Sequence, residues 1–458
     1  MDLRPYQRRT LRDVSALYAQ GAKSVLIASP TGSGKSLMCS VAARNHLAAS
    51  PERRAVVSVH RYELVDQWLR TLRTIGVEAG PLGSSARCTV AMVQSLVARK
   101  EAPRATFVIL DEARHYCAAE WLEVRRAYAD VMVLGADATP ERQDGLGLGL
   151  IFDHLVVAAQ IKELIAARVL VPCRVISARD MLDSRHIAQD PVAAFRKHTP
   201  HGQAVVFARN VPTSKDYQSA FVKAGVVAMH IDGKTDPDQR RAALAGFAEQ
   251  SVRVVTNVQV LTEGWDSPGA DTCILARGCA SQGAFLQMVG RVLRAAPGKT
   301  GATLLDLAGV VNVLGPPDED RVYSLEGRAI KRTACEEQIC RQCGRLASAC
   351  ECGAAQDLGP PVVTGEDLVD WHERYRAAKD ELQPSRTALA LASILRRAAD
   401  AYRRGKPWKQ GAVEHRYRAI FKRPPDAATT AMANRVNALS DPEYAALLAR
   451  SKETKRAS

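Results

Sequence analysis

The sequence has no run of about 18 apolar residues, the length a helix needs to cross a bilayer, so no membrane span is expected. Its first residues, Met1-Asp2-Leu3-Arg4-Pro5-Tyr6-Gln7-Arg8-Arg9, lack the apolar stretch of a secretory signal, and the expected location is the cytoplasm. A nuclease or methyltransferase signature is also missing, since the loosest candidate, Pro317-Asp318 with Glu326-Gly327-Arg328, ends in Arg. What remains is globular in composition: 47% hydrophobic and 24% charged residues exclude a collagen-like or wholly disordered chain. At 458 residues the chain exceeds one ordinary core and suits two domains of roughly 150 residues each, plus appendages.

Charge and cysteine are unevenly spread. The net charge is +14, and the segment from Trp371 to the end carries 19 basic and 9 acidic residues, a surplus of +10. That tail either binds a polyanion such as nucleic acid or is a solvated helical surface. Of 11 cysteines, Cys39, Cys88, Cys117, Cys173, Cys273 and Cys279 are scattered through apolar segments and read as buried thiols. Cys335, Cys340, Cys343, Cys350 and Cys352 cluster. Cys340-x2-Cys343 and Cys350-x-Cys352 offer four thiolates within a short loop, enough for structural tetrahedral zinc, with Cys335 as an alternative ligand.

Continuous apolar runs alternate with helix-length segments: Ser24 to Ala28, Ala55 to Val59, Thr106 to Leu110 and Val131 to Leu134. Without polar alternation, such strands form a parallel sheet covered on both faces. The pattern restarts near Cys173 and continues through Ala204 to Phe207, Val252 to Val255, Thr272 to Leu275 and Thr303 to Leu305, giving a second α/β lobe. The segment from Gly145 to about Ala159 reads as the connection between them. Gly315-Pro316-Pro317 and Gly359-Pro360-Pro361 interrupt the pattern, and Ala388 to Tyr402 and Ala412 to Phe421 read as helices without heptads or repeats. The expected boundaries are 1–158 and 159–330 for the lobes, 331–358 for the cysteine module, 359–384 for a linker and 385–458 for a basic helical domain.

The first strand runs into Ser29-Pro30-Thr31-Gly32-Ser33-Gly34-Lys35-Ser36 and then a helix. Glycines let backbone N–H groups wrap a phosphate chain, Lys35 reaches the terminal phosphates of ATP, and Ser36 ligates magnesium. Ser29 stands where the strict pattern has Gly. Asp111-Glu112-Ala113-Arg114-His115 follows another apolar strand, with Asp111 suited to hold magnesium and Glu112 to polarise the attacking water. Gln287-Met288-Val289-Gly290-Arg291-Val292-Leu293-Arg294 spaces two guanidiniums three apart, which puts them on one face of a helix, where they can reach across a cleft.

Together these motifs, in this order, resemble the superfamily-two helicases and translocases, in particular the bacterial and phage branch whose box reads Asp-Glu-Ala-His-His. Arg114 departs from that box at the first His, and His115 matches the second. The resemblance covers residues 1 to about 330 and implies two RecA-like lobes with ATP between them. It implies that Gln7, in Leu3-Arg4-Pro5-Tyr6-Gln7, contacts adenine, and that Ala138-Thr139-Pro140-Glu141-Arg142 links hydrolysis to lobe movement. Val260 to Pro268 resembles motif five, with Thr262 toward nucleic acid and Gly264 and Asp266 toward nucleotide. Gln287, Arg291 and Arg294 take motif-six roles, and Asp232-Gly233-Lys234-Thr235 fits the second lobe. His60, Arg61, Gln94 and Ser95 fit segments that contact the nucleic-acid backbone, while Trp408, Arg416 and Arg418 add stacking and basic groups in the tail. The expected function is an ATP-dependent helicase or translocase, a monomer on its track with DNA favoured over RNA. A restriction-system translocase, or a nucleic-acid-binding scaffold using ATP only as a switch, are the alternatives.

Overall fold

The computed structural model describes residues 2–99, 102–141, 147–180, 182, 186–262, 267–279, 281–326 and 361–374. The cysteine module, Gly264, Asp266, Trp408, Arg416, Arg418 and the segments expected to form the two tail helices lie outside these residues, as does the side chain of Thr262. Residues 1–372 form one compact unit, separate from 373–458.

Seven strands build the first sheet: β1 (Ser24–Ala28), β2 (Ala55–Val59), β3 (Ala79–Pro81), β4 (Cys88–Met92), β5 (Phe107–Asp111), β6 (Met132–Asp137) and β7 (His154–Val157). They run in the order β3-β4-β2-β5-β6-β1-β7, every pair parallel. β1, β2 and β5 are buried along their whole length, as their unbroken apolar sequences require. Helices lie on both faces, so two apolar clusters form, one holding Trp68 and Leu72, the other Phe152 and Tyr116.

The second sheet comprises β8 (Cys173–Ser177), β10 (Ala204–Ala208), β11 (Ala228–Ile231), β12 (Val254–Asn257), β13 (Thr272–Ala276), β14 (Ala302–Asp306) and β16 (Val369–Asp370), with β9 (His186–Ile187) and β15 (Val362–Val363) as a separate pair. Its order is β11-β12-β10-β13-β14-β8-β16, parallel except for the last strand. Phe247, Phe285 and Phe207 anchor one side of this sheet, Phe195 and Phe221 the other.

Two expectations about boundaries change. Residues 154–157, read as part of the connection, are instead β7, which closes the first sheet against β1. The start of the stretch read as linker, at 359–384, supplies β15 and β16, which pair with β9 and β8. Both are short edge elements whose apolar content is too small to show as a buried strand. The chain also returns to the first lobe after β14: Gly149 N donates to Leu325 O at 2.9 Å, and Leu325 packs into the first lobe's core.

Candidate active site

All strands of the first sheet point the same way, so the segments that follow β1, β5 and β6 share one edge. β6 lies between β5 and β1, with Ala136 beside Asp111 and Asp137 beside Ala28. The phosphate loop, the Asp-Glu pair and Ala138-Thr139-Pro140 therefore meet. The edge also carries His60 and Arg61 after β2 and exposed Gln94 and Ser95 after β4, displaced to the side away from the loop.

Gly32 and Gly34 hold left-handed φ values of 86° and 84°, and Gly34 caps the helix Lys35–Ala48. Ser29 needs no such freedom: its hydroxyl donates to Ser33 Oγ at 2.6 Å and its N–H to Asp137 O at 3.0 Å, so the loop tolerates Ser in place of Gly. Lys35 Nζ donates to Ser29 O at 3.0 Å and Pro30 O at 3.4 Å, which holds the ammonium over the loop. Burial lowers its pKa, opposed by Glu112, Asp137 and Asp111. Tyr6 Oη and Gln7 Nε2 both donate to Ser33 O, at 2.6 and 3.1 Å, and Gln7 Oε1 accepts from Arg4 N. The structure thus places buried Gln7 against the phosphate loop, with both ends of its amide engaged.

Asp111 ends β5. Its Oδ2 accepts from Trp68 Nε1 at 2.8 Å, and burial followed by the neighbouring Glu112 raises its pKa to about 6. Glu112 has a left-handed backbone, φ 50°, a conformation costly for a side chain of this length and characteristic of functional sites. It turns the chain into the 3-10 turn Ala113–Cys117. Glu112 Oε2 accepts from Arg114 Nη1 at 2.5 Å and from Gln287 Nε2 at 3.3 Å, the latter contact crossing between lobes. Arg114 Nη1 also reaches Asp137 Oδ1 at 2.7 Å, and its backbone N–H donates to Asp137 Oδ2 at 2.8 Å.

The second lobe faces this edge with the helix Gln282–Gly290 and the turn after it. Arg291 and Arg294 were expected on one helical face, but the helix stops at Gly290. There the chain begins to bridge to residues 169–171: Val171 N donates to Leu293 O, Ala295 N to Val169 O, and Arg294 pairs with Leu170. Arg294 still reaches the phosphate loop. Arg291 is buried, and a side chain on Gly32 would meet Arg294 Cγ at 3.1 Å. Gly290 approaches so closely that a Cβ there would sit 3.2 Å from Thr31. Pro30, Thr31 and Ala138 face Leu286, Gly290 and Leu293 around a small cavity. Arg61 Nη1 reaches Val260 O at 3.4 Å, a second bridge between lobes.

The geometry brings together Gln7, the phosphate loop from Pro30 to Ser36, Asp111, Glu112, Gln287 and Arg294, and Arg291 is buried directly after the helix that carries Gln287. His60 lies beside His115 and Trp121, with ring centroids 5.2 and 6.3 Å away. Three participants escaped the sequence reading. Trp68 and Asp137 lie 43 and 23 residues from the groups they bind, and no local spacing announces them. Arg114 was noticed as a departure, but its two carboxylate partners were not. Among the described residues the cysteines are free thiols, and none belongs to a metal-binding cluster. No described helix is long and apolar enough to cross a membrane.

The chain is similar to known proteins over both lobes. Residues 1–142 match the family described as type III restriction enzyme, res subunit, and residues 187–296 match the helicase conserved C-terminal domain. A 51.5 kDa protein of a Lactococcus phage is 30% identical over 312 residues, 64% of this chain and 67% of that protein. A Schizosaccharomyces pombe protein described as the mitochondrial ATP-dependent helicase irc3 is 27% identical over 67% of this chain, which spans 57% of its length. Among solved structures, a fragment described as the HsdR subunit of a type I restriction enzyme from Vibrio vulnificus YJ016 shares the fold, with a TM-score of 0.55 at 19% identity, over 68% of this chain and 65% of that one. The parallel-sheet lobes with their facing arginines and these matches lead to one conclusion: the chain belongs to the superfamily-two helicases, which are ATP hydrolases.

Proposed function

We propose that this ATP hydrolase is a DNA motor of the Asp-Glu-Ala-His-His branch, coupling hydrolysis to unwinding or to remodelling of branched DNA. The observation that carries the reading is the 3.3 Å hydrogen bond from Gln287 to Glu112, which joins the reacting edge of one lobe to the other lobe. A movement that breaks or makes this contact changes the catalytic carboxylate and the lobe arrangement together.

The donor set fits magnesium and ATP. Ser36 and Asp111 present hard oxygen ligands, and the glycine loop leads into the N-terminus of the helix Lys35–Ala48, where backbone N–H groups and the helix dipole suit a phosphate chain. Bound magnesium would offset phosphate charge. Lys35 holds the terminal phosphates, Glu112 orients and deprotonates water, and Gln287 steadies Glu112. Arg291 and Arg294 compensate charge developing on the transferring phosphoryl group, an effect worth roughly 10³–10⁵ in rate. Gln7 sets the adenine end, and Gly264 and Asp266 complete the nucleotide contacts. His60, Arg61, Gln94 and Ser95 grip the strand on the neighbouring part of the edge, with Thr262 of the second lobe as a further contact. Zinc on Cys340, Cys343, Cys350 and Cys352 and a tail carrying Trp408, Arg416 and Arg418 would extend that grip.

A second reading, the motor of a restriction system, is favoured by the match of residues 1–142 to the res-subunit family. It requires a partner to supply nuclease chemistry. Steady-state hydrolysis measured alone and with single-stranded DNA, duplex, a fork and RNA at two salt concentrations tests the proposal. Stimulation by DNA, strongest with forks and weakened by salt, supports it. Stimulation by RNA alone, or equally slow hydrolysis throughout, contradicts it.

A further inference from the structure

The Asp-Glu pair is followed by a permanent cation, Arg114, where the resembling branch carries His. Its Nη1 stands between two carboxylates, 2.5 Å from Glu112 Oε2 and 2.7 Å from Asp137 Oδ1, and its backbone N–H closes a second bond to Asp137 at 2.8 Å. All three side chains are withdrawn from water: 10% of Arg114, 15% of Glu112 and none of Asp137 is exposed. Asp137 is fixed from its other side by the N–H of Thr139, at 2.9 Å. It is therefore an anchored carboxyl group at the end of β6, not a mobile partner.

Two buried carboxylates on one guanidinium repel each other when the cation is removed. Asp137 is tied to the backbone at Arg114 and Thr139, whereas Glu112 is held by the side chains of Arg114 and Gln287. A neutral imidazole at this place could not offset both carboxylates, whereas the Arg114 guanidinium pairs with both.

We propose that Arg114, anchored on Asp137, is the positioning residue for Glu112: it aims the carboxylate at the attacking water and cancels the repulsion from Asp137. The inference rests on the reading of Glu112 as the water-orienting group. Gln287 approaches the same oxygen from the second lobe, so Arg114 sets the resting direction and Gln287 reports the lobe arrangement.

The test compares Arg114→Met, Arg114→Lys, Asp137→Asn, the Arg114→Met/Asp137→Asn double variant and Glu112→Gln in the full chain, measuring kcat and KM for ATP with saturating single-stranded DNA. Arg114→Met should lower kcat about 30–100-fold with KM changed less than about 3-fold, the signature of lost orientation. The double variant should recover about 10-fold over Arg114→Met, because the repelling carboxylate is gone. Arg114→Lys keeps the charge without the fork, and an intermediate loss of about 5–20-fold is expected. If Arg114→Met fails to fold, Arg114→Lys and Asp137→Asn carry the comparison. Unchanged kcat in Arg114→Met while Glu112→Gln is inactive overturns the inference, as does a double variant no better than Arg114→Met. Wild-type turnover in Glu112→Gln overturns the underlying reading instead, whatever Arg114 does.

Discussion

The two lobes share an architecture but divide the charges differently. In the first lobe, Asp111, Glu112 and Asp137 each find a partner within the lobe: Trp68, Arg114, and Arg114 with the Thr139 N–H. The second lobe brings Gln287 and Arg294, which meet the other lobe's carboxylate and phosphate loop. On the proposed reading, one lobe holds the phosphate and magnesium groups and the other supplies groups that reach across to them. On that reading, lobe movement then gates hydrolysis more than it disturbs nucleotide binding, because the phosphate loop stays in one lobe while Gln287 and Arg294 approach it from the other.

The comparison can be broken most sharply from the first lobe. Lys35→Ala should abolish measurable hydrolysis in a phosphate-release assay. Gly290→Val tests the junction: a side chain there must displace Thr31, so turnover should fall about 10–100-fold while ATP still binds to the first lobe by fluorescence titration. Equal losses of binding and turnover would mean that the lobes do not divide the work. Trp68→Phe removes the donor to Asp111 along with part of a buried ring, and a magnesium titration should show about a 3–10-fold rise in the concentration needed for half-maximal turnover.

The smallest expected effect is on stability. Asp111 has its pKa raised to about 6 by burial, so the folded chain favours the protonated acid. The stabilisation associated with that proton is fully present below the unfolded value near 3.8 and is lost as pH rises through about 6. Asp111→Asn should accordingly melt a few degrees above the wild type at pH 8, the gap narrowing toward pH 5, while hydrolysis is lost. A gap independent of pH would mean the carboxylate carries no folding cost.

The lobes and the motifs were legible because continuous apolar strands deliver the chemistry: β1 into the phosphate loop and β5 into Asp111 and Glu112. The short strand β3 and the edge strands β7, β11 and β16 were not, since an edge position needs little apolar sequence; the alternation Ala-Met-His-Ile of β11 is half exposed. Arg114 was visible as a departure, yet its meaning lay in Asp137, which reads in sequence as an ordinary strand end and becomes a counter-ion only through the β5–β6 pairing. The end of the motif-six helix was hidden for the same reason: Gly290 stops it where the chain must pair with residues 169–171.

The division of labour is tested most directly by single-turnover hydrolysis and ATP affinity in Arg294→Ala. The account expects hydrolysis slowed about 10³-fold with affinity within about 3-fold of wild type. Parallel losses in rate and affinity would contradict it, placing Arg294 in ground-state binding and not in the acceleration supplied by the second lobe.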